Sequence, residues 1–173
     1  MGLIENSALL CLAIQQGGEE TGRTKLQKMI YFADRYLGWN VSDYKLHYYG
    51  PYSRNIATTL RTIRNELIDE NIPVIGPYQY QVRDEGRHFL ETFGERCDAN
   101  QLEATSALFT QFGEWTKDEL EIATTLDYVD KNTPGINRDG LIEKVSIIKD
   151  NFDTDFIQKV SEKWSAWKAD HEF

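Results

Sequence analysis

The sequence predicts a mainly α-helical protein with a small β-hairpin. Two observations support this fold class, and a third indicates that the chain has two parts of different character. Apolar residues recur at helical spacing through most of the 173 residues. The stretch from Tyr48 to Phe93 has the order turn, helix, hairpin and helix, which is typical of a winged helix. The net charge of −9 is uneven, because residues 1–96 carry 11 Lys/Arg and 12 Asp/Glu whereas residues 97–173 carry 8 and 16. We therefore predict a winged-helix-like core over residues 1–96 and an acidic helical extension over residues 97–173 that packs on it as one compact unit.

Two helices are predicted before the central stretch. The run from Leu3 to Gln16 has an almost continuous apolar middle, so this helix is expected to pack on more than one side. The second helix is predicted over Thr24–Leu37, where Thr24 and Gln27 have the spacing of a capping box. Gly38 follows at the position where a left-handed residue often ends a helix.

The third helix is predicted from Ser53 to Glu70. Ser53 follows the Gly50-Pro51 turn, and its hydroxyl can accept an N–H group of the first helical turn. Four apolar residues recur at i, i+4, i+7 and i+11 and therefore share one helix face: Ile56, Leu60, Ile63 and Leu67. Residues on the opposite face are polar, which gives this helix one apolar stripe and one stripe of hydrogen-bond donors.

A β-hairpin and a return helix are predicted next. Asn71-Ile72-Pro73 is expected to stop the third helix, and two short strands are predicted at Val74–Ile75 and Tyr78–Val82. Asp84 opens the helix that follows. Before the third helix, Tyr44–Tyr49 alternates aromatic and polar residues and is expected to be extended.

Only helices are predicted after residue 97. Asp98 with Gln101, and Thr116 with Glu119, have capping-box spacing at the start of two of them. Residues 132–135 (NTPG) form a firm break.

Two further helices are predicted at Arg138–Lys149 and Asp153–Lys168. The last helix carries an apolar stripe formed by Ile157, Val160, Trp164 and Trp167. We expect this stripe to dock on the body of the protein; left exposed, it would mark a partner surface or a dimer contact.

Candidate partner-binding residues lie on the third helix and on the tyrosine-rich segments around it. They are Arg54, Thr58, Arg61, Arg64, Asn65, Tyr49, Tyr52, Tyr78, Arg83 and Arg87. Aromatic and arginine side chains are enriched where interfaces have hot spots. The alternative is that the arginines are solvated or paired with acidic residues, and that most tyrosine rings tuck under the hairpin with their hydroxyls in water.

Residue patterns for catalysis or cofactor binding are not found in the sequence. Gly17-Gly18 lacks the Lys-Ser/Thr of a phosphate loop, and the three histidines have no metal-binding spacing. Cys11 lies in an apolar run, and Cys97 beside Arg96 is expected to be an inert thiol. We therefore expect no catalytic, cofactor-binding or metal-binding residues, and a protein that is not an enzyme.

The sequence also bears on localisation. No run of about 18 apolar residues occurs, so no membrane-spanning segment is predicted. Glu5 and Asn6 interrupt the first apolar run early, which is unlike a signal peptide. We expect a cytoplasmic protein without a membrane partner.

Two motifs resemble those of a known family. Residues 23–31 (RTKLQKMIY) and 48–53 (YYGPYS) resemble the uncharacterised YwgA-type family of bacteria and archaea. More distantly, they resemble the Panacea antitoxin domain of SocA-type proteolytic adaptors. The resemblance implies a helical protein that acts by binding, without a cofactor or a catalytic set. A Panacea-like protein is implied to neutralise a toxin or to deliver a protein to a protease.

Two functions are therefore weighed. The first is a non-enzymatic regulatory or adaptor protein that recognises another protein, and a homodimer is compatible with it. The alternative is a DNA-binding winged-helix transcriptional regulator that uses the helix over residues 53–70. There, arginines would contact phosphates or guanine and Asn65 would pair with adenine. Overall charge opposes DNA binding, because nonspecific affinity for DNA comes from neutralising phosphates with Lys and Arg.

Overall fold

The first helix, α1 (Leu3–Gly17), lies at the centre of the fold in a computed structural model that describes residues 2–173. Every residue from Asn6 to Ile14 is buried, as the continuous apolar run predicted. Around α1 pack α2 (Arg23–Leu37), α3 (Arg54–Ile63), α4 (Asp84–Gly94) and α5 (Ala99–Gly113). The remaining helices are α6 (Lys117–Asn132), α7 (Arg138–Ile148) and α8 (Thr154–Asp170). The prediction of a mainly helical protein is confirmed.

Two antiparallel hairpins complete the fold, where the sequence predicted one. Strands β1 (Lys45–His47) and β2 (Gly50–Tyr52) form the first hairpin, so Gly50-Pro51 belongs to a strand and the turn lies at residues 48–49. Strands β3 (Ile68–Asn71) and β4 (Gln79–Val82) form the second hairpin, in which Ile68 pairs with Val82.

The first strand of the second hairpin was predicted at the wrong place. Val74 and Ile75, predicted as a strand, lie in the loop between β3 and β4 with relative exposures of 102% and 89%. In their place, Ile68 is fully buried against the core at the start of β3. Burial of Ile68, rather than the apolar pair further along, therefore fixes the register of this hairpin.

Helix α3 ends at Ile63, seven residues before the predicted end at Glu70. Arg64 is extended and Asn65 has a φ of 67°, a left-handed conformation that asparagine adopts more readily than most residues. The Asn65 amide donates to the carbonyl of Ile68 at 2.7 Å, which closes the turn into β3. Arg64 and Asn65 therefore do not share a helix with Arg54, contrary to the prediction.

Helix α2 begins without the predicted capping box. Its N-cap is Gly22, and the side chain of Gln27 bonds to the backbone of Ser53 instead. Gly38 ends α2 in the left-handed conformation, with a φ of 71°, as predicted.

The helices after residue 97 begin and end close to the predicted positions. Thr116 and Glu119 form the full capping box of α6, and Asp98 caps α5. Gln101 does not complete a box, because its side-chain amide donates to the carbonyl of Leu37 at 2.7 Å. The predicted stripe of α8 is docked on the body of the protein, since its four members are at most 4% exposed: Ile157, Val160, Trp164 and Trp167.

The helices after residue 97 pack directly on α1 and α2. The rings of Phe32 and Phe112 lie 4.8 Å apart, and Trp167 lies 4.9 Å from Phe112. Asp127 on α6 accepts a hydrogen bond from the Tyr31 hydroxyl at 2.7 Å. One hydrophobic core therefore contains side chains from both halves of the chain. Within residues 2–173, no helix has the length and apolar character needed to cross a membrane.

Candidate functional site

A cleft opens between the start of α2, the β1–β2 hairpin and α3. Its volume is about 510 Å³, which lies in the range typical of ligand-binding clefts. The polar and aromatic residues that line it are Arg23, Thr24, Gln27, Lys28, His47, Tyr49, Tyr52, Arg54, Arg61 and Glu70. Leu26, Ile56, Ala57 and Leu60 provide apolar lining.

The hairpin wall of the cleft is positioned by Gly50. This residue has a φ of 90°, and a Cβ atom there would lie 2.9 Å from Oγ1 of Thr125 and 3.3 Å from the carbonyl of Glu121. Only glycine combines that conformation with so close an approach to α6. The hairpin therefore lies directly on α6, and Tyr49 and Tyr52 are 48% and 37% exposed at the cleft.

The opposite wall is fixed by hydrogen bonds between α2 and the start of α3. The Gln27 amide donates to the carbonyl of Ser53 at 2.9 Å, and the Ser53 amide donates to Gln27 Oε1 at 3.0 Å. Ser53 caps α3 as predicted, because its hydroxyl accepts from the Ile56 amide. Both helix starts are thus held side by side at the cleft.

Positive groups outnumber carboxylates in the cleft, where Glu70 lies 3.3 Å from Arg23. Both α2 and α3 begin with an arginine, Arg23 and Arg54, and have no acidic residue in the first turn. In the described part of the chain, every other helix has a carboxylate in its first turn or at its N-cap. Because a helix N-terminus carries a partial positive charge, these two starts add to the charge of their arginines.

Two of the predicted arginines are free to bind a partner. Arg54 and Arg61 are exposed, and neither has a carboxylate within ion-pair distance in residues 2–173. Arg61 Nη2 lies 3.3 Å from the hydroxyl of Thr58 on the same helix. Both guanidinium groups therefore keep most of their donors for a ligand.

The other predicted arginines are paired with acidic side chains. Arg64 lies 3.0 Å from Glu70, and Arg83 lies 3.0 Å from Asp69 and 3.3 Å from Glu85. Arg87 pairs with Asp84 and donates to the carbonyl of Val82 at 2.7 Å.

The structure therefore brings only some of the predicted residues together. Arg54, Arg61, Tyr49 and Tyr52 line the same cleft. Thr58 and Asn65 are exposed outside it, as are the paired arginines Arg64 and Arg87, and Arg83 is half-buried outside it.

Tyr78 lines a second cavity, of about 580 Å³, on the other side of the α2 start. Arg23 and Thr24 line both cavities, and the guanidinium carbon of Arg23 lies 3.9 Å from the centre of the Tyr78 ring. Pro77 and Lys117 are among the other lining residues. The two cavities thus share the first turn of α2 as a wall.

Some of the tyrosines around the hairpins are buried or half-buried, and others are exposed. Tyr80 is buried and its hydroxyl donates to Glu70 at 2.8 Å, whereas Tyr44 and Tyr78 are half-buried. Tyr48 is 67% exposed at the hairpin turn, beside the exposed Tyr49.

Lys28 is one of several cleft residues that were not among the predicted binding residues, and it is the most deeply buried charged one. It lies in the cleft wall, is 1% exposed, and donates from Nζ to the carbonyl of Pro51 at 2.6 Å. Burial lowers the pKa of Lys28 to about 7; Glu121 opposes this change and Lys149 adds to it. A lysine is normally solvated, so the sequence around Lys28 did not indicate that it is buried. It is buried because α2 is covered on all sides from Leu26 to Asp34.

A buried ion pair lies behind the same hairpin. Lys149 Nζ is 2.8 Å from Oε1 of Glu121, and both side chains are nearly inaccessible. Lys149 also donates to the carbonyl of Tyr48. Lys28 and Lys149 therefore each hold one backbone carbonyl of the first hairpin.

Two other buried carboxylates are satisfied by structural contacts. Asp127 accepts from the hydroxyls of Tyr31 and Tyr36, and Asp34 accepts from the hydroxyl of Tyr44 at 2.7 Å. Burial raises the pKa of Asp34 to about 6, against hydrogen bonds that lower it. In residues 2–173, no group of three or more His, Cys, Asp or Glu side chains is arranged to hold a metal ion.

No model of a known protein family matches the sequence. The chain is 30% identical over 93 residues to a protein named "Uncharacterized protein YwgA" from Bacillus subtilis (strain 168). The matched region is 51% of this chain and 56% of the relative, so the chain spans about half the length of the curated relative that it matches. This similarity is consistent with the YwgA-type resemblance, whereas the resemblance to the Panacea domain stays a prediction.

Proposed function

We propose that this protein is a non-enzymatic recognition protein, of the regulatory or adaptor type, whose basic cleft binds an acidic segment of a partner protein. The observation that carries the proposal is the unpaired charge of Arg54 and Arg61 at the rim of a 510 Å³ cleft. Arginines that are not used for intramolecular ion pairs are available for carboxylates, which they bind in bidentate geometry.

The surroundings of these arginines suit a protein segment. Exposed Tyr49 and Tyr52 form an aromatic wall, and His47 lies 5.4 Å from the Tyr52 ring. Tyrosine and arginine in a concave, partly apolar site are the usual composition of protein-binding hot spots. A carboxylate-bearing chain would thus find both charge and apolar contact in one cleft.

DNA binding by a winged helix is the second candidate, favoured by the exposed arginines of α3. In this arrangement the β3–β4 hairpin would be the wing. However, the wing loop over residues 72–78 (IPVIGPY) contains no Lys or Arg, and Arg64, Arg83 and Arg87 are neutralised by neighbouring acids. Few unpaired cations therefore remain for phosphates, on which affinity for DNA depends.

Selection from a phage library of random peptides tests the proposal. Peptides enriched on the wild-type protein are expected to be rich in Asp and Glu. A labelled synthetic peptide of the enriched sequence should bind about tenfold more weakly to the Arg54→Ala/Arg61→Ala variant. The matched control is Arg83→Ala/Arg87→Ala, which removes the same charge from paired arginines and should change the affinity by less than about twofold.

Two outcomes would contradict the proposal. One is enrichment of peptides without an excess of acidic residues; the other is equal binding by both double variants. A parallel titration with duplex DNA at about 50 and 200 mM salt tests the second candidate. Binding to DNA that weakens with salt and requires Arg54 and Arg61 would support the transcriptional regulator instead.

A further inference from the structure

Three ionisable side chains are buried together behind the β1–β2 hairpin. Lys28, Glu121 and Lys149 are each 1% exposed. Glu121 pairs with Lys149 at 2.8 Å, whereas Lys28 takes part in no ion pair of the described chain and donates only to the Pro51 carbonyl. When all three are ionised, the group carries one positive charge in excess, and a buried charge without a counter-ion is unfavourable.

We propose that a carboxylate of the bound acidic segment supplies this missing counter-ion, and that Lys28 takes up a proton when the partner binds. This inference rests on the proposed function and adds the residue that makes the cleft specific for an anionic group. Lys28 lies in the wall of the cleft and is 1% exposed, so a carboxylate bound in the cleft would act on its ammonium group by charge across that wall rather than by direct contact.

The charged and titratable groups around Lys28 come from each packed element. The first hairpin contributes His47, Tyr49 and Tyr52, and α3 contributes Arg54 and Arg61. Strand β3 contributes Glu70, and Arg23 shares α2 with Lys28. Glu121 on α6 and Lys149 after α7 act on it by charge. Positive groups therefore outnumber carboxylates around the cleft.

Proton uptake follows from this charge balance. Burial is the main cause that lowers the pKa of Lys28 to about 7, so the free protein holds Lys28 partly neutral at neutral pH. A carboxylate nearby favours the ammonium form and raises the pKa in the complex. The complex consequently binds more protons than the free protein, and affinity falls as pH rises through about 7.

Isothermal titration calorimetry of the acidic peptide, in buffers with different ionisation enthalpies, measures this uptake. For the wild type we expect proton uptake above pH about 7 and almost none below pH about 6. Lys28→Met should abolish the uptake and weaken binding about tenfold at the lower pH. Lys25→Met is the matched control, because Lys25 lies on the same helix but donates to the Gly113 carbonyl outside the cleft.

His47 needs a separate control, since histidine is the residue type that titrates closest to neutral pH. If the uptake persists in His47→Gln and disappears in Lys28→Met, Lys28 is the group that binds the proton. Uptake that disappears in His47→Gln would overturn the assignment.

A second measurement follows Lys28 itself in the wild-type protein. The NMR signal of Lys28 in protein labelled at lysine Cε should titrate at higher pH when the peptide is bound. An unchanged titration of Lys28, together with peptide binding that still requires Arg54 and Arg61, would overturn this inference alone. Loss of acidic-peptide binding altogether would instead overturn the proposed function.

Discussion

The β1–β2 hairpin is held from inside by buried charges, whereas the β3–β4 hairpin is surrounded by ion pairs at the surface. Behind the first hairpin, Lys28 and Lys149 donate to backbone carbonyls from side chains that are 1% exposed. At the second hairpin, Arg83 bridges Asp69 and Glu85, whose side chains are 59% and 62% exposed. Buried charges are poorly screened and exposed ones are well screened, so only the first set is expected to matter for stability.

The same contrast decides which hairpin offers a binding site. Acids beside the second hairpin neutralise its arginines, and its loop is apolar and exposed. Around the first hairpin the cationic groups outnumber the acids, and the aromatic wall stays open. Net charge over the whole chain therefore says little about local affinity, because recognition depends on the few charges that are left unpaired.

The largest expected effect comes from breaking the buried pair behind the first hairpin. Lys149→Met removes the ion-pair partner that lies 2.8 Å from the buried Glu121, which should lower the free energy of unfolding by about 3–5 kcal/mol. The measurement is urea unfolding followed by circular dichroism. Asp69→Asn at the second hairpin removes an exposed partner of Arg83 and should leave the unfolding midpoint unchanged. A similar loss of stability in both variants would contradict the expected difference between the buried and the exposed ion pairs.

The next effect compares one glycine in each hairpin. Gly50→Ala combines a φ of 90° with a Cβ only 2.9 Å from Thr125, and should cost about 3 kcal/mol. Gly76→Ala also has a positive φ, of 103°, but nothing lies within 4 Å of its Cβ, so it should cost about 1 kcal/mol. Thermal unfolding of both variants gives the difference. Equal losses of stability would mean that the close approach of the first hairpin to α6 adds nothing to the cost of Gly50→Ala.

The smallest effect is a pH dependence of stability. The folded protein holds the pKa of Lys28 at about 7, and an unfolded chain holds it at about 10.4. Between these values the unfolded state binds more protons, so stability should rise with pH, by at most about 1.4 kcal/mol per pH unit. Urea unfolding at pH about 7 to 9 should show a smaller rise for Lys28→Met than for the wild type. Parallel curves for the two proteins would mean that Lys28 stays charged in the folded state over this pH range, which would contradict its lowered pKa.

Local signals in the sequence predicted much of the helical framework. Ser53 and Thr116 cap α3 and α6 as their spacing indicated, because a cap is a contact within one helical turn. The apolar stripe of α8 is buried for a similar reason, since helical periodicity places its members on one face. Arg54, Arg61, Tyr49 and Tyr52 were among the predicted binding residues and line one cleft.

The end of α3 could not be predicted from the same signals. Leu67 continues the helical spacing of Ile63, yet the chain leaves the helix at Arg64 and pairs Ile68 with Val82. A strand exists only through its partner, and β4 lies more than ten residues further along the chain. Periodicity within one segment therefore cannot decide between the helix and the strand.

The sequence by itself determined where helices begin, which faces are apolar, and how many charges the protein carries. Tertiary structure alone decided which of those charges are paired. Lys28 and Lys149 lie far apart in the chain, but both are buried beside Glu121 and hold the same hairpin. The physical reason is that an ionic interaction depends on distance and on the exclusion of water, and both are set by packing between segments that are distant in sequence.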